Sequence, residues 1–245
     1  VEFHVPAIDI APYVGDGDAP ARRAVARQLD EAARTVGFMQ IVGHAVPHNV
    51  IEGFTGALDD FFGLELETKK QYRTPPAVNR GYAPPKSESL SLSLGVESAT
   101  RMNDFFEAFN IGTTTADYPE LELSATDYAE NLWPQHVPQF RAPVQAYFAE
   151  AERVARTLTT AFADALDLTA GFFDRFTDHS MDVMRMNNYA LPPGTVIWTA
   201  ISSAWASTLI TAFSPYCGPI RRPACRCSGR TAAGTMCSPP PARSW

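Results

Sequence analysis

The sequence predicts an α+β fold, on three observations. Apolar residues recur at helical spacing in two long segments, and short β-branched or aromatic segments stand between and after them. The chain has 245 residues, 45% of them hydrophobic and 11% aromatic, enough apolar material for one large domain. No apolar run approaches the roughly 20 residues that span a bilayer. The start, VEFHVPAIDIAPYV, lacks the basic flank and continuous apolar stretch of a signal peptide, so a cytoplasmic location is expected.

Val5–Ile10 alternates weakly and predicts a short strand. Asp18 is placed to cap the next helix, with Pro20 tolerated in its first turn. Val25, Leu29, Ala32 and Val36 form its apolar stripe, and Gly37 stops it. GFMQIVGH (Gly37–His44) predicts a buried strand, followed by a helix over Asn49–Phe62 and a short charged one over Leu64–Tyr72. Residues Thr74–Thr100, rich in Pro, Ser and Gly, predict an extended loop containing RGYAPP, and Phe105–Gly112 (FFEAFNIG) suits a strand. The strongest helix pattern covers Val137–Leu166, with a stripe of Phe140, Val144, Phe148, Ala151, Ala155, Leu158 and Phe162, and Pro143 near its start. A shorter helix is expected over Ala170–Phe176. In Asp182–Ala190 (DVMRMNNYA), Val183, Arg185, Asn187 and Tyr189 alternate with Met184, Met186 and Asn188, the signature of a two-faced strand. LPPG then turns the chain.

After Val196 the vocabulary changes. From Ile197 to Trp245 there is no Asp, Glu, Lys, His, Asn or Gln, and all four cysteines occur there. Five arginines of the tail (Arg221, Arg222, Arg226, Arg230, Arg243) hold the formal charge at −7; without them 15 basic groups face 27 acidic ones. Such an acidic body excludes nucleic acid and anionic membrane as expected partners. Cys217, Cys225, Cys227 and Cys237 make no paired C-x-x-C units, which argues against a zinc site, and a reducing compartment argues against a disulfide framework.

The ordered series VPAIDIAPYV, GFMQIVGHAVPHNVI, FFGLELETKKQY, NRGYAPPKSESL, DFFEAFNIG and MRMNNYALPPG resembles the isopenicillin N synthase-like, non-haem Fe(II)- and 2-oxoglutarate-dependent dioxygenases over about residues 4–196. The resemblance implies a double-stranded β-helix (jelly roll) with flanking helices. It divides the chain into an amino-terminal region (1–115), helical backing with the first barrel strand or strands (116–196), and the aberrant tail (197–245). It further implies Fe(II), 2-oxoglutarate and dioxygen acting on a small organic substrate by hydroxylation, desaturation or ring closure, in a monomer. Likeness to antibiotic-forming oxygenases points to secondary metabolism by analogy.

Family members hold iron with two histidines and a carboxylate, the first His and the acid arriving as His-x-Asp on one strand face. Here His4, His44, His48, His136 and His179 are all the histidines, and none begins His-x-Asp or His-x-Glu. A reading-frame slip near Val196 accounts for this. When each third base is joined to the next two, Ile197–Ser203 permits LDGDLVG, Trp205–Ala206 forces a glycine, and Ser207–Ile210 permits His-Thr-Asp. The same frame runs on through GMGEHTDYGILTVL into the tail, and it explains both the missing acids and the sudden cysteines. Relatives supply the second iron His and an Arg-x-Ser for the distal carboxylate of 2-oxoglutarate further on, beyond Trp245. No residue of this chain is therefore assigned as catalytic or as a metal ligand, and the chain as written is expected to be inactive and to bind neither cofactor tightly.

By the resemblance, Asn187 and Tyr189 match positions that hold the carboxylates of 2-oxoglutarate; the plainer reading is a satisfied strand amide and a core aromatic with a wet tip. Arg185 could clamp a carboxylate or pair with a neighbouring acid. Arg80 and Tyr82, in RGY, are candidates to meet substrate, against a purely structural turn. His44 and His48 suit a capping or packing pair, His179 with Asp182 has the wrong spacing for the iron triad, and Gly15 and Gly17 make a turn. Two alternatives stand beside the dioxygenase: a 2-oxoglutarate-independent oxidative cyclase of the isopenicillin N synthase type, and a non-catalytic truncated homologue whose arginine-rich tail contacts a partner. Resequencing the gene across codon 196 separates the slip from the real tail. The expected result is a one-base discrepancy; an uninterrupted frame for ISSAWASTLITAF refutes the slip.

Overall fold

A computed structural model of the chain describes residues 4–75, 77–85 and 106–189, together with the backbone of 226–231 and 234–238. Helices and sheets are mixed along the chain, as the α+β class requires. The described residues group into two compact units that interleave in sequence. One takes the described residues up to Ala45, Arg153–Arg175 and those of 226–238; the other takes Val46–Glu152 and Phe176–Tyr189.

In the first unit, β1 (Ala7–Asp9) pairs in parallel with β2 (Gln40–Val42), Ile8 opposite Ile41. Parallel pairing demands a crossover, which α1 (Ala11–Val14) and α2 (Ala19–Thr35) provide. Asp18 caps α2, its carboxylate accepting the Ala21 N–H at 2.8 Å, and Pro20 sits in the first turn, where a missing N–H costs nothing. Val25, Leu29 and Ala32 are buried as the stripe predicts. Gly37 ends the helix at φ +78°, a conformation open to glycine at no steric cost. The strand after it differs from expectation: Phe38 and Val42 are 53% and 46% exposed. Only the middle residue of β2 turns inward, because this two-stranded ribbon is covered on one face.

The second unit holds α3 (His48–Phe62), α4 (Leu66–Lys70) and an antiparallel sheet in the order β3 (Gly81–Ala83), β4 (Glu107–Gly112), β5 (Val183–Asn188). β3 lies inside the segment expected to be a loop; Arg73 bridges to Gly81 and draws the RGY stretch into the sheet. Residues 86–100 of that segment lie outside the described residues. The long helix, α5, runs over Arg141–Ala165, its residues up to Glu152 in this unit and those from Arg153 in the first. It starts later than expected, so Pro143 falls in the first turn and has no hydrogen bond to break. The buried stripe is Phe140, Val144, Tyr147, Val154, Leu158 and Ala161, turned slightly from the expected one. The helix expected over 170–176 is a single 3-10 turn, Asp174–Phe176. Gly171, at φ +73°, takes a backbone conformation that no α-helix contains.

The core of this unit is aromatic. Phe61 is fully buried and meets the rings of Phe62, Tyr72, Tyr82, Phe109 and Phe140 at centroid distances of 4.7 to 6.1 Å. Four of these contacts are edge-on, the arrangement that ring quadrupoles favour. The LPPG turn and the vocabulary break at Val196 lie outside the described residues. Within the tail, β6 (Arg226–Thr231) and β7 (Gly234–Ser238) pair antiparallel, so it carries some regular backbone. Phe61→Ala should cost about 3–5 kcal/mol. Urea denaturation followed by circular dichroism checks it, with loss of the folded baseline as the extreme outcome.

Candidate functional site

The site is built around β4, whose six residues are all buried. Strand alternation sends Phe109 and Ile111 into the aromatic core, together with Met184 and Met186 of β5. Register then decides what shares the opposite face. Asn110 stands across from Arg185 and Ala108 across from Asn187; β5 ends at the pair Glu107–Asn188, and Tyr189 lies one residue beyond.

Arg185, Asn187 and Tyr189 are brought together on that face. Arg185 Nε donates to Asn187 Oδ1 at 3.0 Å, and Asn187 Nδ2 donates to the Tyr189 hydroxyl at 3.3 Å. Phe106 is the platform: the Arg185 guanidinium sits 5.2 Å from its ring centre and the Tyr189 ring 5.3 Å. Asn187 and Tyr189 are exposed, so these polar tips face solvent. The plain reading of Tyr189 as a core aromatic does not hold, since 57% of it is exposed.

Arg80 and Tyr82 are placed differently. Arg80 is buried, and its guanidinium donates to four main-chain carbonyls: Thr113 at 2.7 Å, Asn79 at 2.8 Å, Ala129 at 3.2 Å and Asp127 at 3.3 Å. Burial draws its pKa below the ordinary guanidinium value. Gly112 makes room for it: a Cβ there would lie 2.8 Å from Arg80 Cζ. Tyr82 is also buried, its hydroxyl donating to Glu107; burial first, and then that carboxylate, push the phenol above its usual range. Both side chains expected to face substrate are therefore turned inward. Gly81 between them, at φ +73°, lets the backbone pass against Tyr72, whose carbonyl accepts the Tyr82 N–H at 2.8 Å.

A buried polar network missed by the sequence reading lies on the core side. Lys69 Nζ is 2.9 Å from both Glu107 oxygens and donates to the Phe62 carbonyl at 2.8 Å. Asn188 Nδ2 donates to Glu107 Oε1 at 2.9 Å. The available signal was Glu107 itself, an acid with the parity of Phe109 and Ile111 in FFEAFNIG. Asn110 Oδ1 is buried with no hydrogen-bond partner among the described residues. A cleft of about 380 Å³ opens at the end of β5 between Thr55, Leu58, Asp59 and Phe62 of α3 and the pair Asn187 and Asn188.

The ladder fits a carboxylate, since an amide N–H, a phenol O–H and a guanidinium converge on one exposed face. The described residues do not fit iron: among them no three His, Cys, Asp or Glu side chains form a group that could hold a metal ion. His48 instead pairs with Glu52 one turn along α3, and His179 with Asp178. The His44 carbonyl accepts from Arg153, and His136 meets the Tyr72 hydroxyl.

The family model described as non-haem dioxygenase in morphine synthesis N-terminal matches residues 5–136, more than half of the chain. A 2-oxoglutarate-Fe(II) type oxidoreductase, hxnY, of Emericella nidulans is 29% identical over 193 residues, 77% of this chain and 53% of the relative. Isopenicillin N synthase of Streptomyces jumonjinensis is 28% identical over 176 residues, 69% of this chain and 50% of its own. The crystal structure of a 2OG-Fe(II) oxygenase family protein from Caulobacter crescentus superposes with a TM-score of 0.64 at 22% identity, covering 80% of this chain and 59% of that one. At that identity the likeness is one of fold. The chain spans about half the length of the curated relatives it matches.

Replacing Arg80 by Met should leave several buried carbonyls without donors and cost about 3 kcal/mol or more. Arg80→Lys, which cannot reproduce the planar fork, should recover only part of that loss. Urea midpoints of the three proteins test both statements.

Proposed function

The chain belongs to the non-haem dioxygenase family, and from that membership we propose that its parent protein is an Fe(II)- and 2-oxoglutarate-dependent oxidoreductase acting on a small organic substrate. The observation that carries this reading is the Arg185–Asn187–Tyr189 ladder, three polar tips presented by one face of β5 beside an open cleft. The names of the relatives, among them a 2-oxoglutarate-Fe(II) type oxidoreductase, support it.

In this reading Asn187 Nδ2 and the Tyr189 hydroxyl donate to a carboxylate of 2-oxoglutarate, and Arg185 supplies the opposite charge. The guanidinium is preoriented by Phe106 and by Asn187, so little rotamer freedom remains to be lost on binding. When bound, the co-substrate supplies the electrons that dioxygen activation requires and leaves as succinate and carbon dioxide. Arg80 and Tyr82 serve the framework behind the site. The substrate occupies the mouth beside Asn187, and hydroxylation, desaturation and ring closure all remain within the class.

The ferrous site is not supplied by this polypeptide. None of its five histidines stands two residues before an Asp or Glu. We attribute that to the frame slip near Val196 and hold the 245-residue chain inactive, with the jelly-roll barrel completed only in the parent. The relationship to isopenicillin N synthase favours one second reading, an oxidative cyclase that needs no 2-oxoglutarate.

Restoring the frame and supplying ferrous ion decides between these readings. Conversion of 2-oxoglutarate to succinate is expected, whereas oxygen consumption without succinate would establish the cyclase. In the chain as it stands, binding of 2-oxoglutarate should be weak and measurable by NMR titration. Asn187→Ala and Tyr189→Phe should each weaken it by about 3- to 10-fold, the worth of one hydrogen bond. Unchanged affinity in both variants would remove these residues from the site.

A further inference from the structure

We propose that Glu107, acting through Asn188, is a positioning residue that fixes the end of β5 and thereby the geometry of Asn187 and Tyr189; the link to 2-oxoglutarate rests on the functional reading above. The last register pair of β4 and β5 is Glu107–Asn188, and Tyr189 follows it in the chain. At that last rung the two paired residues are also joined by their side chains, Asn188 Nδ2 to Glu107 Oε1 at 2.9 Å. Asn187, which precedes Asn188, and Tyr189, which follows it, share a hydrogen bond across that residue.

The carboxylate that grips Asn188 is itself immobilised. Lys69 lies 2.9 Å from both of its oxygens, and the buried Tyr82 hydroxyl donates to Oε2. Lys69 is held in turn by the Phe62 carbonyl at the end of α3. Phe62 and Asn188 both line the cleft, so the network forms the wall behind the mouth of the site. The side chains of Lys69 and Glu107 are only 8% and 10% exposed. A buried ion pair is a poor source of stability, because its attraction is offset by desolvation. What a fully satisfied pair adds is a defined geometry. Here that geometry links α4, β3 and β4 to the one residue placed between the two proposed co-substrate contacts.

The test uses the full chain labelled with nitrogen-15, following the Asn187 side-chain NH2 pair (assigned by its loss in Asn187→Asp) and titrating 2-oxoglutarate. Asn188→Ala cuts the link while leaving Lys69, Glu107 and Tyr82 in place; Glu107→Gln cuts it from the other side. Each single variant is expected to shift the Asn187 signals and to weaken 2-oxoglutarate about tenfold, and the double variant to lose no more than the weaker-binding single one, the non-additivity of residues acting in series. Should Glu107→Gln fail to fold, Asn188→Ala alone decides through the Asn187 signals. Unmoved Asn187 signals in the folded single variants, or losses that add in the double variant, overturn the proposal. If the unaltered chain binds no 2-oxoglutarate but its Asn187 signals move in Asn188→Ala, the positioning role stands and the co-substrate reading falls.

Discussion

A strand buried at all six positions has to answer its polar groups from within the protein. Strand β4 does so for all but Asn110 Oδ1, the one buried side-chain polar atom without a partner among the described residues. Its backbone pairs along its whole length with β5 on one edge and over Ala108–Asn110 with β3 on the other. Its one charge, Glu107, is met by Lys69, Tyr82 and Asn188. Where it ends, the Asn131 side chain both donates to the Gly112 carbonyl and accepts from the Gly112 N–H. Residues far apart in sequence are thus gathered around one six-residue segment that water does not reach.

The same strand separates two kinds of chemistry. On one face, Phe109 and Ile111 join Phe61, Tyr82 and Phe140 in a close-packed aromatic core, where apolar burial dominates the energetics. On the other, small residues of β4 leave room for long polar ones of β5: Ala108 faces Asn187, and Asn110 faces Arg185. An exposed ladder of polar tips is tolerable in energy because water can still reach it, whereas the charges on the core side persist only as a closed network. The candidate site is therefore polar where it meets solvent and rigid behind.

Much of this was legible in the sequence. Asp18 as a cap, Gly37 as a stop, the Val25–Leu29–Ala32 stripe and the two-faced strand around Met186 follow from local rules, since capping, left-handed backbone and alternation depend on neighbours a few residues away. The grouping of Arg185, Asn187 and Tyr189 was legible for the same reason, because residues two apart on a strand share a face. Less accessible were the exposed β2, the short 3-10 turn at Asp174–Phe176 and the inward turn of Arg80, each set by what packs against the segment.

The amino-acid order alone determined the longer helices, β1, β4 and β5, the family and the change of vocabulary after Val196, all of which are properties of short windows or of their succession. Tertiary structure decided that Arg80 donates to three carbonyls 33 to 49 residues away and that Lys69 and Glu107 meet across 38. It likewise decided that the Asn188 side chain joins Glu107 at the last register pair of β5. Partners of a buried charge are chosen by whatever the fold carries within reach, and no local pattern encodes that choice.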